Sequence, residues 1–235
     1  MTGKTLTEGL SVSATVKNQL TGFGYDAAGN MTSNGSATYS YDGDDRLTNA
    51  GGYTYTYDAN SVRIKKASGS AGVLYWYGLN GEVLAESDLS GNFTAEYIFF
   101  NGQRVARRDS SGAVHYYFSD HLGTHSLITD ANGTMPPQDE SDFYPYGREI
   151  PITNNDSNHY KFTGKERDSE SGLDNFGARY DASTMGRFMS PDPSNVGVNR
   201  LNPQSLNAYS YVLNNPLALT DRFDGKRERE PQISP

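Results

Sequence analysis

An all-β fold is predicted: a curved strip of stacked β-hairpins followed by a compact, loop-rich domain. Three observations predict it. Tyr-Asp pairs recur at Tyr25-Asp26, Tyr41-Asp42 and Tyr57-Asp58, 16 residues apart, and tyrosine then recurs every 20 residues at Tyr77, Tyr97 and Tyr117. Glycine (25) and tyrosine (17) are abundant in the 235 residues while the hydrophobic fraction is only 35%, a composition of short strands and tight turns. Strict alternation is visible in Tyr53-Thr54-Tyr55-Thr56-Tyr57, which sets the tyrosines on one face of a strand and the threonines on the other.

The elements follow in order. Each repeat unit reads as a strand, a turn and a return strand. In the first three the turn text is Asp26-Ala27-Ala28-Gly29-Asn30, Asp42-Gly43-Asp44-Asp45-Arg46 and Asp58-Ala59-Asn60-Ser61-Val62. The aspartate is expected to cap its turn through backbone amides, and the tyrosine to cover sheet surface. Asn80-Gly81 and Asn101-Gly102 are tight-turn dipeptides, since glycine takes the positive φ that primed turns need. Gly91-Asn92, Gly112 and Asn132-Gly133 mark further reversals. One hairpin cannot bury its apolar face; stacked hairpins can, and accumulated strand twist curls the resulting strip. The expected divisions are a poorly ordered segment at 1–20, repeats over 21–130, a closing domain over 131–225 and a frayed tail at 226–235. Within them, Met135–Asp142 and Thr153–Asn158 read as exposed loops.

Composition removes several function classes. Twenty Lys and Arg against 28 Asp and Glu leave a net charge of −8, so no basic face is available for nucleic acid. No cysteine is present, which excludes disulfides, thiolate zinc sites and cysteine nucleophiles. The longest apolar run, Val73 to Tyr77, is about five residues against the ~20 that a membrane helix needs. The first residues lack the charged-then-apolar layout of a signal peptide. His121 and His125 have helical metal spacing, but the Leu122-Gly123-Thr124 between them does not form a helix, and His115 and His159 stand alone; neither metal nor cofactor is expected. No phosphate-binding glycine loop and no Gly-x-Ser-x-Gly elbow occurs.

From residue 115 onward the text carries specific motifs: Ser119-Asp120-His121-Leu122-Gly123-Thr124, Phe162-Thr163-Gly164-Lys165-Glu166, Gly172-Leu173 through Ala178-Arg179-Tyr180, Gly186-Arg187-Phe188 with Pro191-Asp192-Pro193, and Asn207-Ala208-Tyr209 with Asn214-Asn215-Pro216. With the tyrosine repeats, this order resembles the rearrangement-hotspot (Rhs) or YD-repeat proteins over about 20–225, and their repeat-associated core domain over about 115–221. The resemblance implies a hollow β-shell whose core domain closes one end and holds a C-terminal toxin for delivery. It also implies export by a dedicated system, with a secreted or cell-surface location. The expected partners are the remainder of such a shell or the toxin cargo.

The same resemblance implies a chemistry to weigh, since several members cut their own chain after the core with an aspartyl-protease-like pair. Asp192 and Asp221 are the candidate carboxylates, one to activate water and one to donate a proton. Arg187 is the candidate that orients a carboxylate or the cut peptide. The family's Asp-Pro-x-Gly ending is here Asp221-Arg222-Phe223-Asp224-Gly225, with Lys226 after it and ten residues beyond Gly225. The main expectation is a non-enzymatic structural piece of a shell. Six hairpins cannot close one, so a truncated product or a partner-dependent plug is expected. Two alternatives stay open: a self-processing aspartyl endopeptidase, and a module whose exposed tyrosines stack glycans.

Overall fold

The computed structural model describes residues 12–192 and 201–221, and the backbone of 233–234. The strands are β1 (Gly24–Tyr25), β2 (Met31–Ser33), β3 (Tyr39–Tyr41), β4 (Leu47–Ala50), β5 (Tyr53–Tyr57), β6 (Arg63–Ser68) and β7 (Ala71–Tyr77). They continue as β8 (Val83–Ser87), β9 (Phe93–Phe100), β10 (Gln103–Asp109), β11 (Val114–Ser119), β12 (His125–Asp130), β13 (Asp139–Phe143) and β14 (Glu149–Asn154). β3 to β14 form one antiparallel sheet of twelve strands in strict chain order, and β1 and β2 pair separately ahead of it. After the sheet come β15 (Glu166–Asp168), β16 (Leu173–Asn175), β17 (Tyr180–Ala182) and β18 (Arg187–Phe188), a second meander of four. β19 (Thr220–Asp221) pairs with β20 (Ile233–Ser234). No α-helix occurs among the described residues, and no helix there is long and apolar enough to cross a membrane.

The turns obey their residues. Asp58 Oδ1 accepts the amides of Asn60 (2.8 Å) and Val62 (2.9 Å), and Ser61 takes the positive φ that lets the strand return. The same cage is built by Asp42, Asp88, Asp109, Asp120 and Asp130. Asn101 and Gly102 have φ of 50° and 74°, so both central residues of the β9–β10 turn are left-handed, as a primed two-residue turn requires. The tyrosine ahead of a turn ties the strand to its neighbour. Tyr57 Oη donates to the Leu47 carbonyl and Tyr77 Oη to that of Arg63, each at 2.7 Å. Tyr97 and Tyr117 sit differently, inside β9 and β11 rather than at a strand end, so the 20-residue step does not preserve the place of the ring in its hairpin.

Two features depart from the sequence expectation. The sheet runs past residue 130 through β13 and β14 to Asn154, and only the start of Met135–Asp142 is a loop. Asp139 opens β13, paired with Ile128 of β12 and Asn154 of β14, and its carboxylate lies 2.8 Å from the buried Lys161 ammonium. At the chain start, Ala14 bridges Leu20, and Leu20 is buried with Met31, Leu47 and Tyr180; residues 1–11, like the tail 226–232 and Pro235, lie outside the described residues.

The closing segment from about 155 to 221 packs on one face of the sheet, here called the inner face. One apolar core joins Tyr39, Leu47, Ala50 and Tyr55 of the sheet to Leu173, Tyr180, Ala182 and Met189 of the segment. A second lies within the segment, where Phe162, Phe176, Phe188 and Tyr211 meet mostly edge to face. The opposite, outer face carries half-exposed Trp76, Phe93, Ile98 and Phe118.

Candidate functional site

The inner face is anchored by charge. Arg63 of β6, 2% exposed, donates to Asp168 at 2.6 Å and 3.0 Å and to Glu166 at 2.7 Å. Lys66 reaches Asp168 at 3.0 Å, Glu166 at 3.3 Å and Glu170 at 3.5 Å. Tyr75 Oη donates to Glu166 at 2.7 Å, and Tyr55 Oη to Glu170 at 2.8 Å. Two cations and three carboxylates thus interlock across the two sheets. Nearby, Glu86 accepts from Tyr160 Oη at 2.7 Å and faces His159 Nε2 at 2.8 Å. Burial works against the Glu86 carboxylate, but His159, Tyr160 and Arg104 more than offset it and hold the group at about 2. Burial also opposes the charged form of His159, yet the Glu86 carboxylate raises it above its ordinary range.

Between the turn edge of the sheet and the closing segment lies a chamber of about 1550 Å³. Its walls include the turns at Asp58–Val62, Gly78–Glu82 and Asn101–Gln103, the Gly123–His125 stretch, the Thr163–Glu166 loop, and Asp221. Its lining is mixed polar and apolar.

Of the three residues singled out in the sequence, two converge on a common partner and one does not. Asp221 accepts from Arg179 NH2 at 3.4 Å. The Asp192 carboxylate also acts on the Arg179 guanidinium, as does that of Asp181, and the Asp192 amide donates to the Ala208 carbonyl at 2.8 Å. Burial weakens the Arg179 charge, and these three acids only partly restore it. Arg187 lies elsewhere: it donates to the Asn18 carbonyl and stands over the Tyr209 ring at 4.4 Å. The arginine set among the aspartates is therefore Arg179. Pro193 and the Arg222–Lys226 stretch fall outside the described residues.

The histidines do not gather. His121 Nε2 is 3.1 Å from the Leu217 carbonyl, His125 Nδ1 is 2.7 Å from Ser119 Oγ, His115 Nδ1 is 2.7 Å from Asp156, and His159 serves Glu86. A ladder of glycan-stacking tyrosines is not presented either. Tyr97 and Tyr117 are buried, and Tyr57 and Tyr77 spend their hydroxyls on the backbone of the sheet.

Sequence reasoning missed a second pair of acids. Asp174 and Asp181 are direct cross-strand partners in β16 and β17, and both are buried. Asp174 accepts from Arg167 at 2.9 Å and 2.7 Å, yet burial raises its carboxyl to about 6. Burial, with Asp174 beside it, holds Asp181 well above the usual carboxylate range, and neither of its oxygens accepts a hydrogen bond. Period-two spacing in Leu173-Asp174-Asn175 and Tyr180-Asp181-Ala182 was the available signal, but it does not say that both faces of these strands are covered.

The fold is therefore a sequential all-β meander with a loop-rich segment held on its inner face by charge and apolar contacts. Among solved structures, the crystal structure of TcdB2-TccC3-TEV superposes with a TM-score of 0.68 at 22% identity, covering 85% of this chain and 11% of that one. The Photorhabdus luminescens Tc holotoxin pore superposes at 0.67 and 21%, covering 90% and 11%. By sequence, the chain is 30% identical over 230 residues to tRNA nuclease WapA of Bacillus subtilis, covering 90% of this chain and 10% of the relative. It is 31% identical over 113 residues to toxin subunit YenC1 of Yersinia entomophaga, covering 46% and 11%. No family model matches the chain. The chain thus has the fold of a segment of Tc toxin assemblies, and spans about a tenth of the length of the curated relatives it matches.

Proposed function

We propose that this chain is the C-terminal wall and plug of an Rhs-type β-shell, with repeats over 21–130 and a core-associated domain over 131–225 that adds the last two strands of the wall before closing its inner face, and that its task is enclosure of a toxin segment. The observation that carries this is the charge lock of Arg63 and Lys66 with Glu166, Asp168 and Glu170, which fixes a plug to the inner face of an otherwise open meander beside a polypeptide-sized chamber. Similarity to toxin subunits and to Tc toxin structures supports the same assignment. On this proposal the partners are the remaining shell and its cargo, and the assembly acts outside the cell that makes it. The test is the coding sequence upstream in the same frame. Tyr-anchored repeats at 16- to 20-residue steps are expected there; an unrelated domain or an intergenic region would overturn the proposal.

A second function is favoured by one observation, the meeting of Asp192, Asp221 and Asp181 around Arg179. Self-cleavage of a peptide beyond Asp221 would need one carboxylate to activate water and a second to donate a proton, and Asp192 and Asp221 are the pair this reading assigns to it. Intact-mass spectrometry decides it. A shortened chain that becomes full length on Asp192→Asn supports cleavage, and a single full-length mass in the unsubstituted protein removes it.

A further inference from the structure

Six arginines and lysines are buried among the described residues: Arg63, Lys66, Arg104, Arg107, Lys161 and Arg187. Arg63, Lys66, Arg107 and Lys161 each have a carboxylate within ion-pair distance. Arg104 and Arg187 have none, and of the two only Arg104 lines the chamber. A buried cation without a counter-ion is costly, because nothing replaces the water that solvated it.

Arg104 is 6% exposed. Its guanidinium carbon lies 3.3 Å from the centre of the Tyr160 ring, with Tyr97 and Phe99 at 4.8 Å and 5.1 Å, so aromatic faces hold it in place. Its hydrogen bond runs from NH1 to the Gly164 carbonyl at 3.3 Å, and Nε has no acceptor. The nearby Glu86 carboxylate is already engaged by His159 and Tyr160.

His125 flanks the same glycine. It is 5% exposed, and its Nε2 stands 3.6 Å from where a Cβ on Gly164 would lie. Ser119 Oγ meets Nδ1 at 2.7 Å, while Nε2 has no partner. When the serine hydroxyl donates to Nδ1, the ring proton sits on Nε2 and is a free donor. Burial, with Arg104 and Lys161 nearby, pushes His125 down to about 3, so the ring is neutral and the field around it is positive. Arg104, His125 and Gly164 all line the chamber, and Gly164 carries no side chain to close the approach.

We propose that Arg104 and His125, on either side of Gly164, form a carboxylate-binding niche in the chamber wall, which takes an acidic group of a polypeptide lying in the chamber. A carboxylate matches the donors: it is planar and can take the free edge of the guanidinium while accepting from the imidazole. That the carboxylate belongs to an enclosed polypeptide rests on the enclosure proposal, whereas binding of a carboxylate at Arg104 and His125 does not.

The test is side-chain nitrogen NMR of the full chain, following His125. Four probes are titrated: N-acetylglutamate α-amide for a side-chain carboxylate, N-acetylalanine for a chain terminus, N-acetylglutamine α-amide as the neutral analogue, and inorganic phosphate. Saturable displacement of the His125 Nε2 signal by either carboxylate is expected, with no saturation by the glutamine analogue and weaker binding of phosphate. Which carboxylate binds more tightly tells a side chain from a terminus. Arg104→Gln should lower carboxylate affinity at least ~10-fold, and Arg104→Lys should lose less. Failure of both carboxylates to saturate, equal binding of the glutamine analogue, or tighter binding of phosphate would each overturn the niche in the unsubstituted protein. The upstream reading frame would still decide the enclosure proposal separately.

Discussion

Single residues in this protein act mainly through what burial does to charge. Arg63 is held by two carboxylates in a site closed to water, and removing one partner from such a group leaves uncompensated buried charge. Arg63→Ala is expected to cost about 3–5 kcal/mol in urea unfolding. Asp181 is the reverse case, a buried carboxyl with no hydrogen-bond donor and another acid across the strand. Asp181→Asn should stabilise the protein at neutral pH by ~1–3 kcal/mol, and the gain should vanish below the ordinary value of 3.8, where the unfolded carboxyl is protonated as well. For Asp174 the folded value of about 6 exceeds the ordinary 3.8, so its contribution is lost as pH rises between these values. His125 works in the opposite sense. Its folded value of about 3 lies below the ordinary 6.5, the unfolded chain binds the extra proton, and stability falls as pH drops through that window. The His125 share of the slope is up to about 1.4 kcal/mol per pH unit, opposed below about pH 6 by Asp174, and His125→Asn should make the protein more stable relative to the unsubstituted chain at pH 4.5 than at pH 6.5. Below pH 4.5, protonation of Glu86 adds its own loss.

At the scale of the element, the repeated unit is a strand pair closed by an aspartate cage. Asp58→Ala removes the acceptor for two turn amides and should cost ~1 kcal/mol by thermal unfolding, since the turn is exposed and water replaces part of the loss. The β4–β5 turn bears on more than its own hairpin. Gly51 has φ of 56°, and a Cβ there would lie 2.2 Å from the Glu170 carbonyl oxygen. Gly51→Ala therefore strains the turn and pushes away the loop that brings Glu170 to Lys66. Greater destabilisation than in Asp58→Ala is expected, with faster hydrogen exchange at Glu166–Asp168 as well as at the turn. Exchange confined to residues 47–57 would show that the turn is uncoupled from the closing segment.

At the scale of the whole molecule, one sheet in chain order is joined to one closing segment by an apolar core, a charge lock and ring contacts such as Tyr97 on Tyr160 at 5.2 Å. Stability should accordingly be graded, with amides of β15–β18 and β5–β7 the slowest to exchange and those of β1 and β2 the fastest. Uniform protection from residue 24 to 192 would contradict that gradient. Residue order alone determined the all-β class, the hairpin step and the aspartate turns, because alternation, glycine placement and Asx capping are local and need only neighbours within about five positions. Asp192 and Asp221 were singled out through the family resemblance, not through local pattern. Tertiary structure alone decided that the sheet extends to Asn154, that Arg179 rather than Arg187 stands among the aspartates, and that Arg104 is buried without a carboxylate. Those outcomes depend on which groups share a low-dielectric space although they lie 22, 42 and 60 residues apart in the chain, and Coulomb energy follows distance and burial, not separation in sequence.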